Sequence, residues 1–327
     1  MGKLRAAVVG VGYLGSFHAE KYHNLPEVDL VAVVDSQKES AELVAKRFNT
    51  EPFTDHKQIL DKVDLVSVVV PTEHHYEVAK DFLDAGVHML LEKPITHSLA
   101  RAEGLIELAA NKNVVLQVGH VERFNPAIRM MYEKIKNPAF IEVHRLAPFN
   151  RRGTDVDVVL DLMIHDIDIV LSMVNSPLVD VHPVGTSVLT DHVDIANAHL
   201  RFENDCVANI TASRVSTNKM RKIRVFEHDT YISVDCGERK LQLYTKLPIQ
   251  DPASDESLSI NIEEHNFEAT DQLLEEIRAF IDSVQQGTAP LVPGEAGKRA
   301  LEVALEISER IKSSKNYHGK GATSMVD

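Results

Sequence analysis

Short apolar runs alternate with helix-periodic segments along the first 120 residues. Apolar runs of this length are typical of buried strands, and periodic segments are typical of amphipathic helices. Strands separated by helices form parallel sheets, so residues 4–119 are predicted to form a doubly wound Rossmann sheet. The predicted strands are 6–9, 30–35, 63–70, 87–91 and 114–118, and the predicted helices are 16–24, 38–48, 55–61, 74–85 and 98–111.

Beyond residue 120 the pattern changes, because strand-like segments follow one another without intervening helices. Consecutive strands of this kind indicate an antiparallel sheet. The predicted fold is therefore α/β, an N-terminal Rossmann sheet plus a C-terminal α+β domain with a large, open, mostly antiparallel sheet. The predicted domains are 1–120 for NAD binding, 121–312 for substrate binding and oligomerisation, and a polar tail at 313–327; the predicted helices are 126–135, 158–174, 271–285 and 295–311, the strands 140–145, 196–202, 206–214, 221–227 and 231–235, and the loop 247–257.

Composition narrows the class of protein. The 327 residues carry a formal net charge of −14, which argues against a nucleic-acid surface. Two cysteines, Cys206 and Cys236, make neither a disulfide framework nor a zinc site, and the 16 histidines show no metal-ligand spacing, so no metal is expected. The sequence shows no apolar run long enough for a membrane span and no signal peptide, so we expect a cytoplasmic protein.

The pattern Gly10-x-Gly12-x-x-Gly15 lies between a predicted strand and a predicted helix, the context of the dinucleotide-binding fingerprint. Asp35 follows about 20 residues after Gly15, where a carboxylate binds the ribose hydroxyls of NAD. That carboxylate would repel the 2′-phosphate of NADP, although Lys38 lies nearby. NAD is therefore the expected cofactor; the alternative is a glycine-rich turn with an aspartate closing a strand.

Lys93 follows the end of a predicted strand, and ligands of open parallel sheets bind at the carboxyl ends of their strands. An ammonium group there would stand near the nicotinamide and suit proton relay. A solvated loop lysine beside Glu92 is the alternative. The further candidates for cofactor contacts lie in the glycine turn or at strand ends: Tyr13, Leu14, Pro71, His75 and Glu92.

Asp161 and His165 are four residues apart on a predicted helix, so they share one face. A carboxylate beside an imidazole fixes its tautomer and stabilises its charged form, which suits a general base for a hydroxyl that loses a hydride. The alternative is an amphipathic surface helix whose polar stripe includes both residues.

Taken together, these pieces resemble the Gfo/Idh/MocA family of sugar and cyclitol dehydrogenases. The resemblance covers residues 4–311 and implies a Rossmann domain followed by a domain with an open antiparallel sheet, commonly used for dimer or tetramer contacts. It also implies catalytic roles for Lys93, Asp161 and His165. The motifs that carry it are Gly10-Val11-Gly12-Tyr13-Leu14-Gly15, Leu91-Glu92-Lys93-Pro94, Gly119-His120 with Arg123-Phe124-Asn125-Pro126, and Asp161-x-x-x-His165-x-x-Asp168.

The chain departs from the family where Val70-Pro71-Thr72 replaces a common Thr-Pro-Asn, which puts a cofactor contact from an asparagine in doubt. The segment 151–166 is similar to the subgroup of UDP-N-acetylglucosamine 3-dehydrogenases and related UDP-sugar oxidoreductases. Binding a pyrophosphate needs fixed cations, and Arg151, Arg152 and Arg123 are the candidates for this role, although loop arginines that face solvent are the alternative.

The hypothesis from the sequence is thus an NAD-dependent dehydrogenase that oxidises a sugar ring hydroxyl. The expected substrate is a UDP-linked N-acetylhexosamine oxidised at its 3-hydroxyl, and the expected assembly is a homodimer or homotetramer. One alternative is a dehydrogenase of free sugars or cyclitols. Another is a non-catalytic dinucleotide-binding regulatory protein.

Overall fold

The computed structural model describes residues 2–150, 156–247 and 259–314. The chain divides into two compact units, the first made of residues 1–124 and 271–301 and the second of residues 125–270 and 302–327. The predicted boundary at residue 120 falls close to the observed division after Phe124. Most of the predicted tail, from residue 315, and the predicted loop from residue 248 lie outside the described residues.

The first unit contains a parallel sheet of six strands in the order β3-β2-β1-β4-β5-β6. The order reverses between β1 and β4, and ligands of such sheets bind at this switch point, outside the carboxyl ends of the strands. The predicted Rossmann sheet is confirmed, and β3 is an additional edge strand. The strands are β1 Leu4–Val9, β2 Val28–Val34, β3 Glu51–Phe53, β4 Leu65–Val68, β5 His88–Glu92 and β6 Leu116–Gly119.

Helices connect these strands at positions close to those predicted. Ser98 caps α4 by accepting a hydrogen bond from the Arg101 amide, and Asn49 and Asn113 end α2 and α4 in the left-handed region. A 3₁₀ turn, His56–Ile59, replaces the predicted helix at 55–61. The helices are α1 Tyr13–Asn24, α2 Lys38–Phe48, α3 Thr72–Asp84 and α4 Leu99–Lys112, and the 3₁₀ turn Val121–Phe124 follows β6.

The second unit contains an eight-stranded sheet in the order β14-β13-β12-β11-β7-β10-β9-β8. All neighbours pair antiparallel except β7 and β10, which are parallel, so the sheet is mostly antiparallel as expected. The strands are β7 Phe140–Leu146, β8 Leu178–Thr186, β9 Ile195–Phe202, β10 Val207–Ser213, β11 Met220–Glu227, β12 Thr230–Asp235, β13 Lys240–Leu247 and β14 Ser259–Asn266.

One long predicted helix, 158–174, is in fact two helical segments. A π-helical turn spans Val159–Met163 and leads directly into α6, Ile164–Met173. The second unit also contains α5, Pro126–Lys134, which Asn125 caps by accepting from the Ala127 amide. None of the helices among the described residues is long and apolar enough to cross a membrane.

The two last helices depart from the predicted domain division. α7 spans Gln272–Gln286 and α8 spans Gly294–Lys312. Residues 271–301 group with the first unit, because Ile277, Phe280 and Ile281 of α7 are buried in the same apolar cluster as β1 and α1. The predicted domain division assigns residues 271–301 to the second domain, because the order of elements along the chain does not show that these residues pack with the first unit.

Candidate active site

The glycine turn after β1 has the geometry that a dinucleotide requires. Gly10 has φ +86°, and a Cβ atom there would lie 2.6 Å from the Val69 carbonyl oxygen. A Cβ atom at Gly15 would lie 1.8 Å from the Gly10 carbonyl oxygen, so both positions need glycine. At Gly12, by contrast, a Cβ atom would meet no atom of the described residues within 4 Å. The space above Gly12 is therefore open at the amino end of α1, where backbone amides favour phosphate.

Asp35 binds the glycine turn through its carboxylate. One oxygen accepts a hydrogen bond from the Val11 amide at 3.0 Å, and the other accepts from the Gln37 amide at 2.9 Å. Nearby Lys38 is exposed and pairs with Glu42 at 3.5 Å. Asp35 thus lies beside the glycine turn at the end of β2, where ribose hydroxyls bind in this fold. Lys38, the lysine that could have offset its charge, is paired with Glu42 within α2.

The other candidate cofactor contacts of the first unit differ in exposure. Tyr13 is 66% exposed and Leu14 is 42% exposed at the start of α1. Pro71 is exposed directly before α3, whereas His75 is 1% exposed and its two ring nitrogens lie 2.9 Å from the carbonyl oxygens of Val70 and Pro94. Tyr13, Leu14 and Pro71 are thus accessible at the carboxyl edge of the sheet, and His75 is enclosed behind it.

Lys93 directly follows β5, next to a buried carboxylate. Glu92 is 8% exposed; one oxygen lies 3.2 Å from Nε2 of His18, and the other accepts from the Lys93 amide at 3.2 Å. Burial alone would raise the pKa of Glu92, but the hydrogen bond from His18 and the charges of His18 and Lys93 lower it overall. An ionised carboxylate therefore accepts a hydrogen bond from the amide of the half-buried Lys93.

The His18–Glu92 pair belongs to a longer buried chain of polar groups. His18 Nδ1 lies 3.1 Å from the Ser67 hydroxyl, which in turn lies 2.9 Å from the Tyr22 hydroxyl. Gly119 leaves room for the carboxylate, since a Cβ atom there would come within 3.0 Å of its oxygens. These groups surround Glu92 from three elements, α1, β4 and β6. Sequence reasoning missed His18 and Ser67 because they are far from Glu92 in the chain.

A second buried carboxyl group, Glu276 of α7, is influenced by the charge of Glu92. Glu276 is fully buried, and neither of its carboxyl oxygens has a hydrogen-bond partner among the described residues. Burial and repulsion from the charge of Glu92 raise the pKa of Glu276 well above its usual value. The two groups together thus favour a single negative charge, held by Glu92.

In the second unit, Asp161 lies in the π-helical turn and His165 lies in the first turn of α6. Both side chains are half-buried. Most of the other residues of α6 are buried, so α6 is not a surface helix. The buried residues are Ile164, Asp166, Ile167, Asp168, Ile169, Val170 and Met173. The amphipathic surface alternative is therefore wrong; π turns of this kind are frequent at functional sites.

Buried ion pairs hold this helix in place. Arg145 of β7 donates two hydrogen bonds to Asp166, each 2.8 Å long. Sequence reasoning missed this pair, although its signal is present: the alternation of β7 places Arg145 on the same inward face as Ile141 and Val143. A buried bidentate pair at this position fixes the rotation of α6 and hence the direction of His165.

A second cluster fixes the chain just before the π turn. Arg214 donates to the carbonyl oxygens of Val156 and Val193 and pairs with Asp194 at 3.1 Å. Asp157, which is 2% exposed, pairs with Lys312 of α8 at 2.7 Å. Both pairs join residues distant in sequence, which explains why the sequence pattern did not reveal them.

The structure describes one of the three arginines that were predicted to bind phosphate. Arg123 lies in the 3₁₀ turn Val121–Phe124 and is 9% exposed. Arg151 and Arg152 lie outside the described residues. No cluster of three or more potential metal ligands occurs in the described part of the chain.

Family models match both units. Residues 4–120 match the model described as "Oxidoreductase family, NAD-binding Rossmann fold", and residues 136–233 match the "GFO/IDH/MocA C-terminal domain".

Individual relatives match the chain almost from end to end. It is 36% identical over 315 residues to UDP-N-acetylglucosamine 3-dehydrogenase of Acidithiobacillus ferrooxidans, covering 95% of this chain and 98% of the relative. A solved structure of that name and organism has a TM-score of 0.89 over 95% of this chain and 98% of that chain. Myo-inositol 2-dehydrogenase of Thermotoga maritima is 26% identical over 336 residues, covering 96% and 98% of the two chains.

A more distant structure shares the fold. Scyllo-inositol dehydrogenase from Lactobacillus casei, described with bound NAD(H) and scyllo-inositol, is 19% identical, with a TM-score of 0.77 over 94% of this chain and 96% of that chain.

Proposed function

The chain belongs to the Gfo/Idh/MocA family of oxidoreductases, and from this premise we propose that it oxidises a ring hydroxyl of a nucleotide-linked sugar. The first unit is a nicotinamide-dinucleotide-binding domain. The second unit carries the acid–base pair Asp161 and His165. The proposal rests above all on one observation: at the carboxyl edge of the parallel sheet, the Lys93 amide donates to the buried, ionised carboxylate of Glu92, which His18 also contacts.

We propose NAD rather than NADP as the cofactor. Gly10, Gly12 and Gly15 would hold its pyrophosphate against the amino end of α1, and Asp35 would accept hydrogen bonds from its ribose hydroxyls. The negative charge of Asp35 disfavours a 2′-phosphate, and Lys38 is paired with Glu42 in α2. The bound dinucleotide would supply the acceptor for the hydride that leaves the carbon carrying the hydroxyl.

The proposed roles of the other residues follow from their chemistry. His165 accepts the proton of the reacting hydroxyl, because an imidazole is the side chain suited to exchange protons near neutral pH. Asp161, four residues earlier in the chain, orients the ring and stabilises its charged form. Lys93 donates a hydrogen bond to the reacting oxygen. Glu92 and His18 together hold the turn that carries Lys93 in place.

We propose UDP-N-acetylglucosamine, oxidised at the 3-hydroxyl, as the substrate. The 36% identity to a UDP-N-acetylglucosamine 3-dehydrogenase over 95% of this chain supports it. Arg151, Arg152 and Arg123 are proposed to bind the pyrophosphate, since guanidinium groups bind phosphate oxygens in a bidentate manner.

Initial rates with a substrate panel test this proposal. NAD reduction is measured with UDP-N-acetylglucosamine, UDP-glucose, free N-acetylglucosamine and myo-inositol. We expect the highest kcat/KM for UDP-N-acetylglucosamine, with free N-acetylglucosamine a poor substrate, and a raised KM for the UDP-sugar in the double variant Arg151→Ala and Arg152→Ala. Equal turnover of free sugars and UDP-sugars would refute the pyrophosphate argument.

A second candidate function is the oxidation of a cyclitol. The 26% identity to myo-inositol 2-dehydrogenase over 96% of this chain favours it. In the same panel it predicts that myo-inositol is the best substrate and that the arginine variants keep the wild-type KM.

We also propose that the chain assembles as a homodimer or homotetramer in the cytoplasm through the outer face of the eight-stranded sheet. An aromatic ladder crosses this face at matched positions of four strands, with ring centroids 4.7 to 5.7 Å apart: Phe140, Phe226, Tyr231 and Tyr244. Aromatic surface of this kind is typically covered by a partner.

A further inference from the structure

The imidazole of His75 spans two turns that follow neighbouring strands. His75 lies in the first turn of α3 and is 1% exposed. Its Nε2 atom is 2.9 Å from the carbonyl oxygen of Val70, and its Nδ1 atom is 2.9 Å from the carbonyl oxygen of Pro94. Since β4 and β5 are parallel neighbours, one side chain joins the turn after β4 to the turn that carries Lys93.

The two acceptors impose a condition on the ring. A carbonyl oxygen only accepts hydrogen bonds, and a neutral imidazole has one N–H group, whereas the charged ring has two. Neutral His75 therefore donates to Val70 or to Pro94, and protonated His75 donates to both. Burial lowers the pKa of His75, while the two carbonyl groups and the charge of Glu92 oppose that shift in part.

Other charged groups near α3 pair with residues other than His75. The elements packed against α3 include α4, β4, β5 and the 3₁₀ turn His56–Ile59, whose His56 ring lies 2.9 Å from Asp81 at the other end of α3. Arg101 of α4 lies over the Tyr76 ring and near Glu77, and Ser67 of β4 bonds His18 and Tyr22. Glu92, at the end of β5, is thus the charged side chain that acts on the His75 ring.

We propose that His75 is a positioning residue for Lys93, acting as a buried brace between the Val70 and Pro94 turns rather than as a cofactor contact. The brace fixes the main chain directly after Lys93, and Glu92 fixes the main chain directly before it through the Lys93 amide. Lys93 is thereby held from both sides. The inference rests on the proposed role of Lys93 in the reaction.

The neighbouring histidine provides a matched control. His74 is exposed at the same end of α3, and its ring lies 3.5 Å from Glu73. Substitution at 74 changes the same residue type on the same helix turn without touching the brace.

The test compares His75→Phe and His75→Gln with His74→Phe and His74→Gln. The direct readout is the rate at which an amine-acylating reagent modifies Lys93, followed by mass spectrometry from pH 6 to pH 10 in the full-length protein. The second readout is kcat and KM with NAD and UDP-N-acetylglucosamine; Tm and NADH affinity report on folding.

We expect His75→Phe to change the pH dependence of Lys93 acylation and to lower kcat about tenfold or more, with a smaller change in KM. His75→Gln restores part of kcat, because its amide group donates one hydrogen bond to a carbonyl. The His74 variants keep the wild-type acylation profile and kcat.

A folded His75→Phe protein with wild-type Lys93 acylation and wild-type kcat would overturn the inference; if that variant does not fold, the same result in His75→Gln would do so. An active Lys93→Ala protein would instead overturn the proposed role of Lys93. The acylation profile would still show whether His75 positions that lysine, so the two failures are distinguishable.

Discussion

Asp35 is the residue on which cofactor choice depends. We expect tighter binding of NADH than of NADPH, because the carboxylate beside the glycine turn repels a 2′-phosphate. Asp35→Asn removes the charge while keeping an acceptor for the Val11 amide. This variant and Asp35→Ala should both narrow the difference in affinity between NADH and NADPH. Fluorescence titrations give both affinities, with Glu39→Ala on the exposed start of α2 as the control. Equal wild-type affinities for the two dinucleotides would contradict this assignment.

Lys93 and His165 are expected to act in the chemical step. Lys93→Ala and His165→Ala should each lower kcat by about 10²- to 10⁴-fold, since positioned acid–base groups contribute that much. NADH affinity should change little, because neither side chain holds the pyrophosphate. The controls Lys80→Ala and His182→Ala replace exposed residues that pair locally with Asp84 and Asp180. Wild-type kcat in both active-site variants would show that the assignment is wrong.

Residues were predictable from the sequence where their function depends on local spacing. Gly10, Gly12 and Asp35 follow one another in a single strand–turn–helix–strand unit, so a short window contains the whole signal. His18 and Glu92 meet across 74 positions of sequence, and Glu276 joins them from a distant helix. Their roles depend on tertiary contacts that no local pattern encodes.

Helix α7 places a buried carboxyl group in the core of the first unit, which makes stability depend on pH. The folded state keeps the proton of Glu276 above pH 4.5, while the unfolded chain releases it. The unfolded state then binds fewer protons, so the free energy of unfolding falls as pH rises, by up to about 1.4 kcal/mol per pH unit. The Glu276→Gln variant has no carboxyl group to ionise at this position. Its Tm should therefore exceed that of the wild type, and the difference should grow from pH 5 to pH 8.

Glu275→Gln is the control for this prediction. Glu275 lies next to Glu276 on α7, but its side chain is 39% exposed and lies 3.3 Å from Arg278. Its Tm should stay parallel to that of the wild type across the pH range. A constant Tm difference between Glu276→Gln and the wild type would mean that Glu276 is ionised in the folded protein.

Elements were predicted well where one periodicity dominates. α2 has the predicted bounds, because its apolar positions recur at helical spacing and Asn49 ends it in the left-handed region. The helix containing Asp161 was predicted without its π turn, which tertiary contacts at Val156 and Asp157 stabilise. β14 was missed because six of its eight residues are exposed, so it lacks the alternation of a half-buried strand.

For the whole molecule, the outer face of the eight-stranded sheet predicts self-association. Light scattering at micromolar concentration should give a mass two or four times that of the 36.4 kDa chain. Tyr231→Glu places a charge within the aromatic ladder and should shift the mass towards one chain. Leu43→Glu, on the exposed face of α2, should not. A wild-type mass of one chain would rule out the proposed assembly.

Oxidation at the 3-hydroxyl can be followed through the hydride itself. UDP-N-acetylglucosamine carrying deuterium at C3 is incubated with the enzyme and NAD, and the reduced cofactor is analysed by mass spectrometry. Oxidation at the 3-hydroxyl predicts NADH heavier by one mass unit, together with loss of deuterium from the sugar. Unlabelled NADH from this substrate would show oxidation at another carbon, and no NADH at all would contradict the proposed substrate.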